Sequence, residues 1–163
     1  MTSQVDTQVT ERLGRNVLIA NLMQAGLEVA EPIRDRGIDL LIYTDRDQFS
    51  ALPIQLKVAT AESFGLYKKY EKIPGLVIAH VWHTLGPSIM EIYALTYHQS
   101  RKVCDVMGYT KTDSWREHGG YSTRHISPKL RDLLAPYRIE TPEQWRRLLD
   151  GKPSISRSRP SGA

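Results

Sequence analysis

The stretch that decides the fold runs from Gly37 to Lys57 and reads GIDLLIYTDRDQFSALPIQLK. It holds an apolar run with one acid, Asp39, then a polar turn, and then a second run that is typical of a β-strand. Side chains two residues apart on a strand point to the same face, so Gln55 and Lys57 leave the sheet together. If the two strands are antiparallel neighbours, Asp39 lies beside that pair.

These three side chains predict a small polar site at a strand edge. Asp39 interrupts an apolar run, and a buried carboxylate is costly unless a cation or hydrogen-bond donors satisfy it. We interpret Asp39 as a site residue, with a structural hydrogen-bond acceptor as the alternative. Lys57 indicates a positioned ammonium, and a lysine on an exposed sheet face is its alternative. Together with the amide oxygen of Gln55, the group suits a hard cation and a phosphate.

The order of elements around this site resembles the PD-(D/E)XK nuclease superfamily. Asp39, fifteen intervening residues and Gln55-Leu56-Lys57 match its D-x(n)-(E/Q)-x-K signature. A long amphipathic helix, a glycine turn and a strand precede the acid, as in archaeal Holliday-junction resolvases. The similarity covers roughly residues 5 to 82. It implies an α/β fold with a mixed β-sheet flanked by helices, a restriction-endonuclease-like core and C-terminal helices.

The resemblance also implies an activity, the metal-dependent endonucleolytic hydrolysis of DNA phosphodiester bonds. Asp39, Gln55 and Lys57 are then the expected catalytic residues. The expected ligands of Mg²⁺ or Mn²⁺ are Asp39, the side-chain oxygen of Gln55 and the main-chain oxygen of Leu56. Lys57 is expected to orient or deprotonate the attacking water and to offset charge in the transition state.

Two positions depart from the pattern of that superfamily. Gln55 stands where a glutamate would add a negative charge, which weakens the hold on a metal. Counting back from Gly26, the glutamate that usually assists the metal falls on Arg15. Glu11 lies four residues earlier on the same face and is an alternative ligand, although a solvated acid near the helix start explains it more simply. A second function therefore stays open: a weakened or inactive nuclease-fold module that binds nucleic acid or a protein partner.

Basic side chains that alternate with aromatic ones predict where nucleic acid would bind. They fall in residues 61–72 and 109–126, and the four assigned to this role are Lys68, Lys69, Arg116 and Arg124. Such interleaving suits phosphate contacts and stacking on bases. A solvated basic face explains the first segment more simply, and a packed lid explains the second equally well.

The hydrophobic pattern predicts the remaining elements. A helix should begin at Asp6 or Thr7 and end at Gly26, and its buried stripe is predicted to contain Val9, Leu13, Val17 and Ala20, widened by Leu18, Ile19, Leu22 and Met23. Strands are predicted over residues 27–31, 38–43, 52–58, 76–82 and 91–95. Helices are predicted over residues 97–107, over 127–137 and from 141 onward. Residues 61–72 are predicted as helix or irregular, and residues 109–126 as loop or short helix.

Two histidines and one cysteine raise the question of a different site. His80 and His83 would face opposite sides of a strand, so we expect polar positions at a strand end and no joint metal ligation. Cys104 is the single cysteine, which excludes an internal disulfide framework, and its neighbours predict a buried helical position.

Composition and charge indicate the class of protein. The chain has 163 residues, 40% hydrophobic and 25% charged, which suits one globular domain that we place at residues 1–150. It contains no run of about 18 apolar residues and no signal peptide, so we expect a cytoplasmic protein without a membrane partner.

The net charge is +4, and three basic residues fall in residues 151–163, a predicted disordered basic tail. DNA is the expected partner, and the resemblance makes a homodimer an expectation as well.

Overall fold

The computed structural model describes residues 6–46 and 48–151, so most of the predicted tail lies outside the described residues. The strands are β1 (Glu28–Ala30), β2 (Leu40–Thr44), β3 (Ser50–Val58), β4 (Phe64–Tyr67), β5 (Val77–Trp82), β6 (Glu91–Thr96) and β7 (Gly120–Thr123). The helices are α1 (Thr7–Gln24), α2 (Tyr97–Met107), α3 (Asp113–His118), α4 (Pro128–Leu134) and α5 (Pro142–Leu149). Shorter 3-10 helices cover Lys68–Lys72, Tyr109–Lys111 and Ala135–Tyr137. Within the described ranges, no helix is both long enough and apolar enough to span a bilayer.

A five-stranded mixed sheet forms the centre of the fold, in the order β1-β2-β3-β5-β6. β3 and β5 are parallel, whereas the other neighbouring pairs are antiparallel. The chain between β3 and β5 passes through β4, which pairs with β7 in a separate antiparallel ribbon. The described residues confirm the predicted α/β class with a mixed sheet flanked by helices.

Each face of the sheet carries its own hydrophobic core. On one face, α1 and α5 cover the sheet, and the core includes Leu18, Leu22, Ile54, Leu56 and Trp145. On the other face, α2, α3, α4 and the β4–β7 ribbon contribute, and the core includes Phe64, Ile78, Trp82, Leu95 and Trp115. Every residue of β5 is buried, as expected of a central strand covered on both faces. Cys104 is buried on α2, as predicted.

The buried face of α1 differs from the predicted stripe. Thr10, Gly14, Leu18 and Leu22 are its buried residues, whereas Val9 and Leu13 are 49% and 37% exposed. The prediction for Val9, Leu13, Ala20 and Met23 was therefore wrong, since all four are exposed, and that for Leu18 and Leu22 is confirmed. The reason is Gly14, whose missing side chain allows α1 to approach Val58 on β3 closely. Because α1 and β3 lie close together there, the helix turns its face with Thr10 and Gly14 toward the sheet.

The β4–β7 ribbon was not predicted. Residues 61–72 contain β4 and a 3-10 helix, and residues 109–126 contain α3 and β7. Each ribbon strand has only four residues, and its partner lies more than fifty residues away in the sequence. Gly120 makes the pairing sterically feasible because a Cβ atom there would lie 2.2 Å from the Tyr67 ring. A pairing of this kind leaves no local periodicity to detect.

We predict that Gly14→Ala destabilises the protein, although alanine favours a helix by about 1 kcal/mol over glycine. The new methyl group would lie 2.4 Å from Cγ1 of Val58, so α1 or β3 has to move. We expect the free energy of unfolding in urea to fall by about 1–3 kcal/mol.

Two control variants separate packing from helix propensity. Ala20→Gly changes an exposed residue of α1 and reports propensity alone. In a Val58→Ala background, Gly14→Ala should cost much less, because the clashing methyl groups are gone. A Gly14→Ala variant as stable as the wild type would show that α1 does not approach β3 this closely.

Candidate functional site

Asp39 and Gln55 lie side by side across the antiparallel strands β2 and β3, as predicted. Leu40 pairs with Ile54, and the main-chain nitrogen of Asp39 donates to the carbonyl oxygen of Ile54 at 2.8 Å. Asp39 itself precedes β2, which begins two residues later than the predicted start at 38. The side-chain nitrogen of Gln55 donates to Oδ2 of Asp39 at 2.5 Å. The sequence predicted this contact on the condition that the two strands pair antiparallel, as they do.

The carboxylate of Asp39 is satisfied by groups of the protein itself. Oδ2 also accepts a hydrogen bond from the main-chain nitrogen of Leu56 at 2.6 Å. Oδ1 lies 3.6 Å from Nη2 of Arg15, and Nη1 of Arg15 donates to the main-chain oxygen of Asp39 at 3.2 Å. Asp39 is 8% exposed and Gln55 is 7% exposed, so this cluster is closed to bulk water over most of its surface.

Arg15 is the cation of this cluster. Its guanidinium also lies 3.6 Å from Glu11 and 3.4 Å from Glu31, both largely exposed. Glu11, the predicted alternative metal ligand, is therefore paired with an arginine at the solvent side of the cluster. Arg15 stands where the sequence motif led us to expect a glutamate. It therefore places a positive charge directly beside Asp39.

Burial raises the pKa of Asp39 above its ordinary value. The hydrogen bond from Leu56 and the charge of Arg15 lower the pKa, whereas the charges of Asp35 and Glu11 raise it. Burial is the largest of these effects. The fold therefore favours the neutral carboxyl more than water does, and the internal donors offset only part of that cost.

The groups around Asp39 do not fit a divalent cation. Gln55 directs its amide nitrogen toward Asp39 and, at 3.2 Å, toward the main-chain oxygen of Leu56. The opposite amide orientation would place its oxygen against a carboxylate oxygen. A hard cation needs free oxygen lone pairs, and here they face N–H donors and a guanidinium. Within residues 6–46 and 48–151, no group of three or more His, Cys, Asp or Glu side chains is arranged to hold a metal. Mg²⁺ or Mn²⁺ stays a prediction from the resemblance.

Lys57 shares a face of β3 with Gln55 and lies among aromatic rings. Its Nζ atom lies 5.0 Å from the centre of the Tyr67 ring and 5.3 Å from that of Tyr70. It borders a cavity of about 210 Å³ that neither Asp39 nor Gln55 lines. The residues that line this cavity, which we call the Lys57 cavity, are Lys57, Val58, Ser63, Phe64, Gly65, Tyr67, His80, Ser122, Thr123 and Arg124.

His80 is a site residue that the sequence analysis missed. It pairs in register with Lys57 in the middle of β5, so the predicted position at a strand end was wrong. Its ring stacks on Phe64 at 5.2 Å and is 1% exposed, and neither ring nitrogen has a hydrogen-bond partner among the described residues. Burial, with a smaller effect of Lys57, lowers the pKa of His80 to about 3. The sequence did contain one signal for this position, since His80 is the one polar residue within the apolar strand VIAHVW.

The predicted nucleic-acid contacts lie around the β4–β7 ribbon. Lys68 places Nζ 5.4 Å from the centre of the Trp115 ring, and Lys69 lies 5.8 Å and 5.3 Å from the rings of Tyr67 and Tyr70. The main-chain nitrogen of Lys68 donates to Gly119, which joins the end of β4 to the start of β7. Arg124 lines the Lys57 cavity, and Arg116 is exposed on α3.

Comparison of the chain with protein-family models, with curated proteins and with solved structures gave no match. We therefore infer the function from the chemistry of the residues around Asp39 and Lys57.

We predict that Arg15→Met raises the pKa of Asp39 further, because it removes the cation that lowers it. Carbon-13 NMR of the carboxyl group measures this shift. Near pH 7 we expect a loss of about 1–3 kcal/mol in the free energy of unfolding, because a buried charged acceptor loses a partner. The loss should shrink as the pH falls through the raised pKa of Asp39 in the folded state, and it should be gone at about pH 4 and below, where Asp39 is largely protonated in both the folded and unfolded states.

Arg12→Met is the matched control, since Arg12 is exposed on the same helix. It should leave the titration of Asp39 unchanged. If Arg15→Met left the Asp39 titration and the stability as in the wild type, the contact between Arg15 and Asp39 would not stabilise the protein.

Proposed function

We propose that this protein is a nucleic-acid-binding module with a restriction-endonuclease-like core, and that it does not cleave its ligand with a divalent ion. The observation that supports this most strongly is the set of partners of Asp39. Its carboxylate accepts from Gln55 and Leu56 and faces Arg15, and Lys57 borders a cavity whose lining includes neither Asp39 nor Gln55.

The order of elements supports the proposed type of core. Helix α1, a glycine turn and β1 precede Asp39, and the antiparallel strands β2 and β3 bring Asp39 to the Gln-x-Lys segment. This order is the one that the sequence motif implies. Arg15 and Gln55 then occupy positions where acidic side chains would favour a metal, and both supply donors to Asp39.

Lysines held near aromatic rings support binding of nucleic acid. We define the basic–aromatic patch as Lys57, Lys68, Lys69, Tyr67 and Trp115, in which each ammonium lies within 6 Å of a ring centre. The rings restrain the ammonium groups without neutralising them, so their charge is available to phosphates. Lys68 and Lys69 are exposed, and a flexible strand can reach them.

DNA hydrolysis is the second candidate function, because one observation favours it. Oδ2 of Asp39 and the main-chain oxygen of Leu56 both contact the amide nitrogen of Gln55, so two predicted ligands converge on one point. Cleavage would require that the amide nitrogen leave this point. The homodimer stays a prediction from the resemblance.

We predict salt-dependent binding of DNA without hydrolysis in Mg²⁺ or Mn²⁺. The double variant Lys68→Gln/Lys69→Gln should bind about tenfold or more weakly, and the slope of log K against log salt should fall by about 0.9 for each lost phosphate contact. Fluorescence anisotropy measures binding, and gel electrophoresis of the same samples measures cleavage.

Lys102→Gln removes an exposed positive charge from α2 and should leave the affinity nearly unchanged. Absence of DNA binding at low salt would contradict the proposed function. Metal-dependent cleavage that disappears in Asp39→Ala and in Lys57→Ala would establish the second candidate in its place.

We predict that the double variant Arg15→Glu/Gln55→Glu gains affinity for Mn²⁺. It replaces two of the side chains that contact Asp39, Arg15 and Gln55, by carboxylates, which supply the oxygen ligands and negative charge that the wild type lacks. Isothermal titration calorimetry should show a single Mn²⁺ site in this variant.

The matched control is Arg12→Glu/Gln24→Glu, which makes the same change of charge at exposed positions of α1. Equal Mn²⁺ binding by the control would indicate a non-specific charge effect. A wild-type protein that binds Mn²⁺ as tightly as the redesigned one would contradict the role given to Arg15 and Gln55.

A further inference from the structure

The Lys57 cavity is assembled from four strands. Lys57 lies near the end of β3, His80 lies in the adjacent parallel strand β5, and the β4–β7 ribbon closes the remaining side. The carboxyl ends of adjacent parallel strands are common sites for ligands in α/β proteins. The volume of about 210 Å³ is smaller than the roughly 300–1,000 Å³ of pockets for drug-sized ligands. The cavity therefore suits a compact chemical group.

The charge of the cavity favours an anion. Two of its lining residues, Lys57 and Arg124, are cationic, and none of them is acidic. The hydroxyl-bearing residues Ser63, Ser122 and Thr123 also line it. Cationic side chains together with hydroxyl donors are the usual partners of phosphate oxygens.

His80 is a second, independent indication of a ligand. Both of its ring nitrogens lack a hydrogen-bond partner among the described residues, although the residue is only 1% exposed. A buried polar group without a partner is costly and calls for an explanation. Its lowered pKa, about 3, keeps the ring neutral, so one nitrogen carries a hydrogen and can donate it. Both nitrogens are covered by protein atoms, so an acceptor-rich group in the cavity would use this donor after the ring turns toward the cavity.

We propose that the Lys57 cavity binds a terminal phosphate group, with Lys57 and Arg124 as its charged partners and His80 as a buried neutral donor. The inference rests on the proposed function and deepens it, since it assigns the end of a nucleic-acid strand to this cavity. An end group fits better than an internal phosphodiester, because a linked chain on both sides would have to pass through a small cavity. A free nucleotide carries the same phosphate chemistry.

The test uses the full-length protein and four probes: inorganic phosphate, AMP, and one oligonucleotide with either a 5′-phosphate or a 5′-hydroxyl. Calorimetry and fluorescence anisotropy measure affinity, and nitrogen-15 NMR of the histidine rings reports on His80. We expect the 5′-phosphorylated strand to bind at least about tenfold more tightly than the 5′-hydroxyl strand. Lys57→Met, Arg124→Gln and His80→Phe should each abolish most of that difference, whereas Lys102→Gln should preserve it.

His80→Phe keeps an aromatic ring against Phe64 and removes both unpaired nitrogens, so we expect it to fold, and circular dichroism checks this.

In the wild type, phosphate binding should shift the His80 ring signals, and a purely structural role of His80 predicts no such shift. Binding of AMP and phosphate without any oligonucleotide binding would support the cavity and contradict the proposed function. The inference would be overturned if the oligonucleotide bound equally well with and without the 5′-phosphate, if the three variants bound like the wild type, and if the His80 signals did not shift. The proposed function would then still stand.

Discussion

The buried carboxylate of Asp39 has to be satisfied inside the protein, and this constraint organises the first half of the chain. Oδ2 accepts from Gln55 and Leu56 on β3, and Oδ1 faces Arg15 on α1, so one carboxylate links the helix to the sheet. The cost of burial still dominates, because the pKa of Asp39 remains raised. Each of these contacts also uses an oxygen lone pair that a metal ion would need. The same interactions that stabilise the fold therefore oppose metal-assisted chemistry at this position.

The positive charge of Lys57 borders a cavity that Asp39 does not line. Lys57 belongs to the same Gln-x-Lys segment as Gln55, and its ammonium lies near the rings of Tyr67 and Tyr70. The lining of this cavity includes a second cation, Arg124, and no acidic residue, so its charge favours a phosphate group. Such a site is expected to add affinity for nucleic acid, because phosphate contacts supply much of that affinity.

Strand alternation in residues 37–57, combined with antiparallel pairing of the two strands, predicted the contact between Asp39 and Gln55, because the hydrophobic pattern and the short turn are local properties of a sequence. The helix face could not be predicted in the same way. Gly14 decides it through close packing on Val58, a contact between segments more than forty residues apart. The β4–β7 ribbon and the burial of His80 likewise depend on distant partners. Arg15 was visible as a departure from the motif, but its contact with Asp39 depends on where α1 packs on the sheet.

The most direct test of the central claim is paramagnetic broadening by Mn²⁺ in the NMR spectrum of the wild-type protein. The side-chain amide signals of Gln55 report on the point where Asp39 and Leu56 converge, and signals of exposed acids such as Glu143 report on non-specific binding. We predict that substoichiometric Mn²⁺ broadens the Gln55 signals no more than those near exposed carboxylates. Selective loss of the Gln55 amide signals at low Mn²⁺ would contradict the account, because it would place a metal ion where Arg15 and Gln55 are argued to exclude one.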